Sequence, residues 1–390
     1  MKYSNMKKGL AAVLVLVMIV ALPLGGCGKK EEPKVELPVV PEAPPEPAGH
    51  EVYYWPYTGL TTTGAVAVKT RPLSVKIENS SQARPQTGLN SADVVYETMV
   101  EGMESRFNCI FQSNIPEEVG PVRSARLSDL WVVPQYQGIL FFSGANKQVI
   151  GRLRSDKINL MSYDSATKLY HRVDFRHAPH NLYLELGGAY ELAQKKDIKT
   201  ESDTLSSLYF GQTGPAISTT SEAIDGTAGV VNTDLEFEGL INSADTVESV
   251  TVPFIHDAIW RWDAEKKVFL RWTGKEVHKD AATDEQLWTD NVVIMWADYP
   301  QQSMKDPAGA PTYDTELGKG GKAALFRDGH MVDCTWKADR TSTPTLISQS
   351  GSEIPLKAGR TWFIVPRTGT EIKIEKPKAE DAGTSEAALK

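Results

Sequence analysis

Cysteine is scarce. Three residues in 390 cannot build a disulfide framework, so the fold has to rest on ordinary hydrophobic cores, and the length permits two of them. Cys109 and Cys334 lie far apart with no metal-ligand spacing around them, which predicts two unpaired, buried thiols. A long apolar run is also missing: the one uninterrupted stretch, Leu10 to Leu24, is too short for a comfortable membrane span. Positive charge is in deficit, with a formal net charge of −8. That balance argues against nucleic acid as a partner and against binding to a bare anionic membrane. No repeat at a fixed period is visible.

What is present begins at the N-terminus. Lys2, Lys7 and Lys8 precede the apolar run, and Gly25-Gly26-Cys27 follows it at once, the pattern of a secretory signal peptide over 1–26. Leu24-Gly25-Gly26-Cys27 resembles the lipobox of bacterial lipoproteins. This implies cleavage before Cys27, a diacylglyceryl group on its sulfur, and a mature chain held by acyl chains on the extracytoplasmic face of the cell membrane. Loss of three lysines and no acid takes the net charge to −11. Residues 27–56, rich in Pro and Glu, cannot bury apolar area and predict an extended tether. The polar tail 376–390 is expected to be disordered.

Between these ends the chain mixes two periodicities. LSVKIEN, ADVVYETMVEG, RFNCIFQSN and GILFFSG read as strands, whereas KQVIGRLRS and LYLELGGAYELAQKKD read as helices. A further helix from GPVRSAR through Leu127, Leu130 and Trp131 should stop before Pro134. This predicts an N-terminal mixed α/β domain over 70–210. The Gly/Thr/Ser-rich passage 211–244 reads as a connection or insertion. Over 245–375 the alternation in AIWRWDAEKKVFLRW, and Asp328-Gly329 placed as a two-residue hairpin turn, predict a smaller β-rich C-terminal domain. The chain as a whole reads as α+β.

Several rare strings occur in order. They are Arg84-Pro85-Gln86 with Gly88-Leu89, ADVVYE at 92–97, Glu101-Gly102, Arg106, GPVRSAR at 120–126 and APHNLY at 178–183. WDAEKKVFLR at 262–271, NVVIMWADY, and ALFRDG followed by Trp336 come after them. On these strings the chain resembles the YerB-like lipoproteins, a family of two-domain bacterial surface proteins. The resemblance implies an extracytoplasmic lipoprotein with an α/β first domain and a β-rich second one. It brings no reaction and no cofactor with it. The chain departs from the family pattern at His177, where the resemblance implies lysine.

Charged residues recur in short apolar contexts: Arg84, Glu97, Glu101, Arg106, Arg123, Arg126 and His180. Glu97 and Glu101, four apart, are expected on one face. GPVRSAR poses two alternatives. Gly-Pro opens a helix whose free N–H groups, with Arg123 and Arg126 one turn apart, make an anion-binding corner; or the two arginines are structural and tied to carboxylates. Likewise, the cluster is either a cleft for an anionic or sugar-like ligand or a set of ion pairs fixing the strands. Ser124 has no Gly-x-Ser-x-Gly elbow around it and reads as a cap rather than as a nucleophile served by His180. His171, His177 and His180 fit no metalloprotease helix, and no metal is expected. His180-Asn181 reads as a hydrogen-bonding corner before an apolar helix. Trp260, Trp262, Trp272, Trp288, Trp296 and Trp336 read as core and hairpin packing, with a sugar-stacking strip as the alternative.

The composite expectation is a non-catalytic binding or scaffolding lipoprotein that holds an envelope protein or cell-wall polymer. Its ligand-binding candidates are Arg84, Glu97, Glu101, Arg106, Arg123, Ser124, Arg126, His180 and Asn181. The alternative is an envelope enzyme acting on an anionic or glycan substrate in an Arg/Glu-lined cleft of the first domain.

Overall fold

The strand Leu73–Glu78 sets the pattern for the molecule, a computed structural model. Leu73, Val75 and Ile77 enter one hydrophobic core, while Ser74, Lys76 and Glu78 point to the opposite side of the sheet. Both sets are buried, because the helix Asp129–Gln135 lies against the polar side. Residues 52–211, 216–217 (backbone), 237, 239–240, 246–306 and 309–377 are described. The signal peptide 1–26, Cys27, most of the 27–56 tether, most of the 211–244 connection and the tail beyond 377 lie outside the described residues.

One eleven-stranded sheet runs through both sequence halves. Its order is Glu353–Ile354, Thr345–Ile347, His330–Lys337, Gly321–Arg327, Asn291–Met295, Thr361–Val365, Val94–Met99, Ser105–Phe111, Leu73–Glu78, Ile139–Phe142 and Asn159–Ser162. Two parallel pairings form its centre: Thr361–Val365 lies between Asn291–Met295 and Val94–Met99. Along Thr361–Val365 the period of two is strict. Trp362 and Ile364 enter one core, Phe363 and Val365 the other. A second sheet, Glu276–Val277, Val268–Thr273, Ala258–Asp263, Ser249–Val252 and Lys373–Glu375, is antiparallel throughout. Its Val250, Trp260 and Phe269 share a core with Val75, Phe107 and Trp362 of the large sheet. The hairpin at Asp328-Gly329 has both residues at positive φ, 51° and 74°, as a two-residue primed turn requires.

Three expectations are corrected. The first half is not a clear α/β mixture, because among the described residues strand far outweighs helix and the α-helices are three short ones: Asp129–Gln135, Lys147–Ser155 and Ala189–Lys195. LYLE at 182–185 is a strand, not the start of a helix: Leu182 and Leu184 alternate into the core, and the strand pairs with Tyr170–Arg172. No helix starts at GPVRSAR. Val122 bridges Ile77, Arg123 N–H donates to the Lys76 carbonyl at 2.9 Å, and Ala125 N–H donates to that of Gly144. These cross-chain bonds hold the segment extended. The helix begins at Asp129, whose side chain accepts the Arg126 N–H at 2.7 Å, and it carries Pro134 in its last turn.

Candidate functional site

Glu97 and Glu101 diverge. The Val94–Met99 strand ends before Glu101, which sits in a 3-10 turn with Gly102 at φ 71°, so the shared face expected from their spacing does not form. Glu97 points into the interior and is fully buried. Its Oε1 accepts from Arg271 Nη2 at 3.0 Å, Ser105 Oγ at 2.8 Å and Asn79 Nδ2 at 3.4 Å, and its Oε2 accepts from Trp362 Nε1 at 3.2 Å. Arg271 comes from the second half of the chain and is fully buried too. Its guanidinium lies 4.8, 5.2 and 5.6 Å from the ring centroids of Trp362, Trp260 and Phe107. Arg271 Nε donates to His278 Nδ1 at 3.1 Å. His278 Nε2 meets Gln86 Oε1 at 2.6 Å, so Nε2 carries the proton and the ring is neutral. Burial, reinforced by the Arg271 and Arg84 charges, holds His278 well below its ordinary value. This is a closed ionic centre that ties the two halves together.

Glu101 lies elsewhere, facing the 120–126 corner. Arg126 Nε donates to Glu101 Oε2 at 2.9 Å, and its Nη1 reaches the Ala125 carbonyl at 3.0 Å and that of Ser124 at 3.3 Å. Arg106 Nη1 also donates to the Ser124 carbonyl, at 2.9 Å. Burial, with Arg126 and Arg123 as further cations, pushes Arg106 down to about 9. Arg123 Nε is 3.3 Å from Glu78 Oε1 without hydrogen-bond geometry, and that nitrogen is buried with no partner. A cleft of about 320 Å³ opens beside the corner, lined by Glu101, Ser124, Arg126, Asn146, Lys305 and Thr312 among others.

Behind Arg123 stands Glu78, which spacing arguments passed over. Its Oε1 is 2.9 Å from His180 Nδ1 and accepts the Ser80 hydroxyl at 2.9 Å; its Oε2 is buried without a partner. His180 therefore joins Arg123, while Glu97 does not. Asn181 precedes a strand rather than a helix. It clamps that strand by accepting from Arg172 Nη1 at 2.7 Å and donating to the Val173 carbonyl at 3.0 Å. His171 takes Glu118 and Glu185 as partners, so the three histidines serve different carboxylates or none. Arg84 joins neither group; it lines a pocket between the two halves with Thr273 and His278.

The Arg271 role was legible in one respect. In VFLRWT it shares the parity of Phe269 and Thr273, the buried face, so a charge there signals an internal partner. Lys76, paired with Asp129 at 2.9 Å with both fully buried, gave no such signal, because the helix that covers it is distant in sequence. Trp260 and Trp336 are fully buried, whereas Trp262, Trp272 and Trp288 are half-buried, Trp272 under Arg261 and Trp288 over Arg360. Cys109 and Cys334 are both free and buried.

Comparison with known proteins matches both halves. Residues 57–199 match the family described as "Protein of unknown function (DUF3048) N-terminal domain", and residues 250–363 match the corresponding C-terminal domain. A Bacillus subtilis (strain 168) protein described as "Putative lipoprotein YerB" is 30% identical over 315 residues, spanning 80% of this chain and 86% of that protein. The crystal structure of YerB protein from Bacillus subtilis superposes with a TM-score of 0.67 at 26% identity, over 83% of this chain and 99% of that one.

Proposed function

The chain belongs to the two-part DUF3048 family that includes YerB, and we propose that it is a lipoprotein of the extracytoplasmic membrane face with a non-catalytic binding role. Cys27 carries the lipid, and the 123–126 corner holds an anionic group of an envelope protein or wall polymer. The observation that supports the corner is Arg123. Its guanidinium makes no hydrogen bond with any described residue, although Arg106 and Arg126 lie close enough to act on one another as cations. Of the carboxylates nearby, Glu101 is paired with Arg126, and Glu78, 3.3 Å from Arg123 Nε, bonds His180 and Ser80 instead. An incoming carboxylate or phosphate would find unused N–H donors in a fork that matches it.

The test is thermal unfolding of the mature chain with inorganic phosphate or succinate. A saturable rise in the midpoint is expected, as for any ligand of the folded state. Arg123→Gln is expected to remove the rise, and Arg84→Gln to leave most of it. A midpoint insensitive to both anions, or a rise that survives Arg123→Gln, would overturn the reading. An enzyme acting at the same corner is the second reading. One observation favours it: Glu78 holds His180 through Nδ1 and so orients the ring. Turnover of an envelope substrate that is lost in His180→Gln while anion binding persists would select it.

A further inference from the structure

Arg84 occupies the strongest unassigned position in the molecule. It lines a pocket of about 180 Å³ between the two halves, with Ser81 and Pro85 from the first and Thr273, Glu276, Val277, His278 and Lys279 from the second. Its guanidinium forms no ion pair or hydrogen bond with any described residue, and its Nε is buried without a partner. Burial, then the neighbouring Arg271 charge, lowers its proton affinity from the ordinary value, as expected for a cation missing its counterion. Glu276, exposed on its two-residue strand, reaches the same pocket and has no ion-pair partner within 4.0 Å among the described residues either.

Two opposite charges share one small pocket, then, without meeting. The loop that carries Arg84 is tied down on both sides. Arg176 donates to the carbonyls on either side of Arg84, to Ala83 and, at 2.6 Å, to Pro85. Gln86 is fixed by His278, and the Asp280 side chain accepts the Gly88 and Asn90 N–H groups at 2.9 and 2.7 Å. A cation held on a rigid loop opposite an anion on another strand complements a ligand with the reverse polarity. Rigidity also lowers the entropic cost of binding. Pro85 and Val277 supply apolar wall for a small side chain.

We infer that this pocket binds a compact zwitterion of amino-acid size, its carboxylate on the Arg84 guanidinium and its ammonium toward Glu276. The site is separate from the 123–126 corner, and its test does not depend on that reading. Lys279 is already paired with Asp284 at 2.9 Å, and His278 is neutral and internally bonded. Arg84 is therefore the donor available to the carboxylate.

The experiment is calorimetric titration of the full mature chain with alanine, acetate, ethylammonium, inorganic phosphate and alanylalanine. Alanine is expected to saturate at one per chain, with acetate at least about tenfold weaker, the worth of one charge-assisted contact. Ethylammonium alone is expected not to bind, and alanylalanine, whose charges stand further apart, to bind more weakly than alanine. Arg84→Gln should abolish alanine binding and Arg123→Gln should leave it intact. Glu276→Gln, on an exposed strand where folding is not at stake, should reduce alanine to the level of acetate. Failure of alanine to bind, phosphate or acetate binding as tightly as alanine, or indifference to Glu276→Gln would each overturn the proposal.

Discussion

Replacing Arg271 by methionine is expected to be among the most damaging single changes in the molecule. Methionine keeps an unbranched apolar stem against Trp260, Trp362 and Phe107, so packing loss is small and the effect isolates the charge. Glu97, fully buried, would retain Ser105, Asn79 and Trp362 as donors but lose its counterion. Breaking a buried pair from one side costs about 3–5 kcal/mol, because the remaining charge is stranded in low dielectric. Glu97→Gln strands Arg271 instead, whose remaining hydrogen bond goes to His278, and should cost a similar amount. The double variant removes both charges and is expected to lose less than either cost doubled, leaving a coupling of about 2 kcal/mol or more. Urea denaturation followed by tryptophan fluorescence and circular dichroism measures all four corners of the cycle. Singles that lose under about 1 kcal/mol, or a double equal to their sum within about 0.5 kcal/mol, would refute the account of a closed ionic centre.

Arg126→Ala is expected to cost about 2–3 kcal/mol, since it removes a largely buried bond to Glu101 and two carbonyl contacts. Arg123→Ala should cost under about 1 kcal/mol because Glu78 keeps His180 and Ser80; a reversed ranking in chemical denaturation would contradict the assignment of roles. Gly88→Ala should destabilise by about 2 kcal/mol or more: Gly88 has φ +84°, and a Cβ there would sit 2.7 Å from the Glu118 carbonyl oxygen. A midpoint unchanged by that substitution would count against the loop geometry. His278 binds its proton less readily folded than unfolded, so its contribution is complete above about pH 6.5 and is lost as pH falls below that value. The fall in stability from pH 7 to 5 should therefore be shallower in His278→Gln, and parallel profiles would refute the assignment. Cys27→Ala should release the mature chain from the membrane in a detergent-partition assay, and retention would sink the lipid-anchor reading.

The hairpin at Asp328-Gly329, the Lys147–Ser155 helix and the strands around LSVKIE, VVYETM and WFIV were legible because each depends on spacing within ten residues or so. The expected leader and Cys27 rest on the same kind of local pattern, but they lie outside the described residues. The 120–126 corner was legible as a place where arginines gather, but not as a shape. Gly-Pro followed by helix formers speaks for a helix. The extended form wins because the N–H groups of Val122, Arg123 and Ala125 donate to the carbonyls of Leu182, Lys76 and Gly144, partners that only the assembled sheet brings within reach. The fate of the carboxylates turned on the same kind of contact. Glu97 and Arg271 are 174 positions apart and meet only because Thr361–Val365 pairs with Val94–Met99 and the second sheet packs over that face. Local sequence, then, determined which residues alternate, turn or carry charge, since those follow from bonds between near neighbours. Which charges pair inside, which remain open to a ligand and which halves share a sheet were decided by long-range strand pairing and burial. No periodicity along the chain records those two effects.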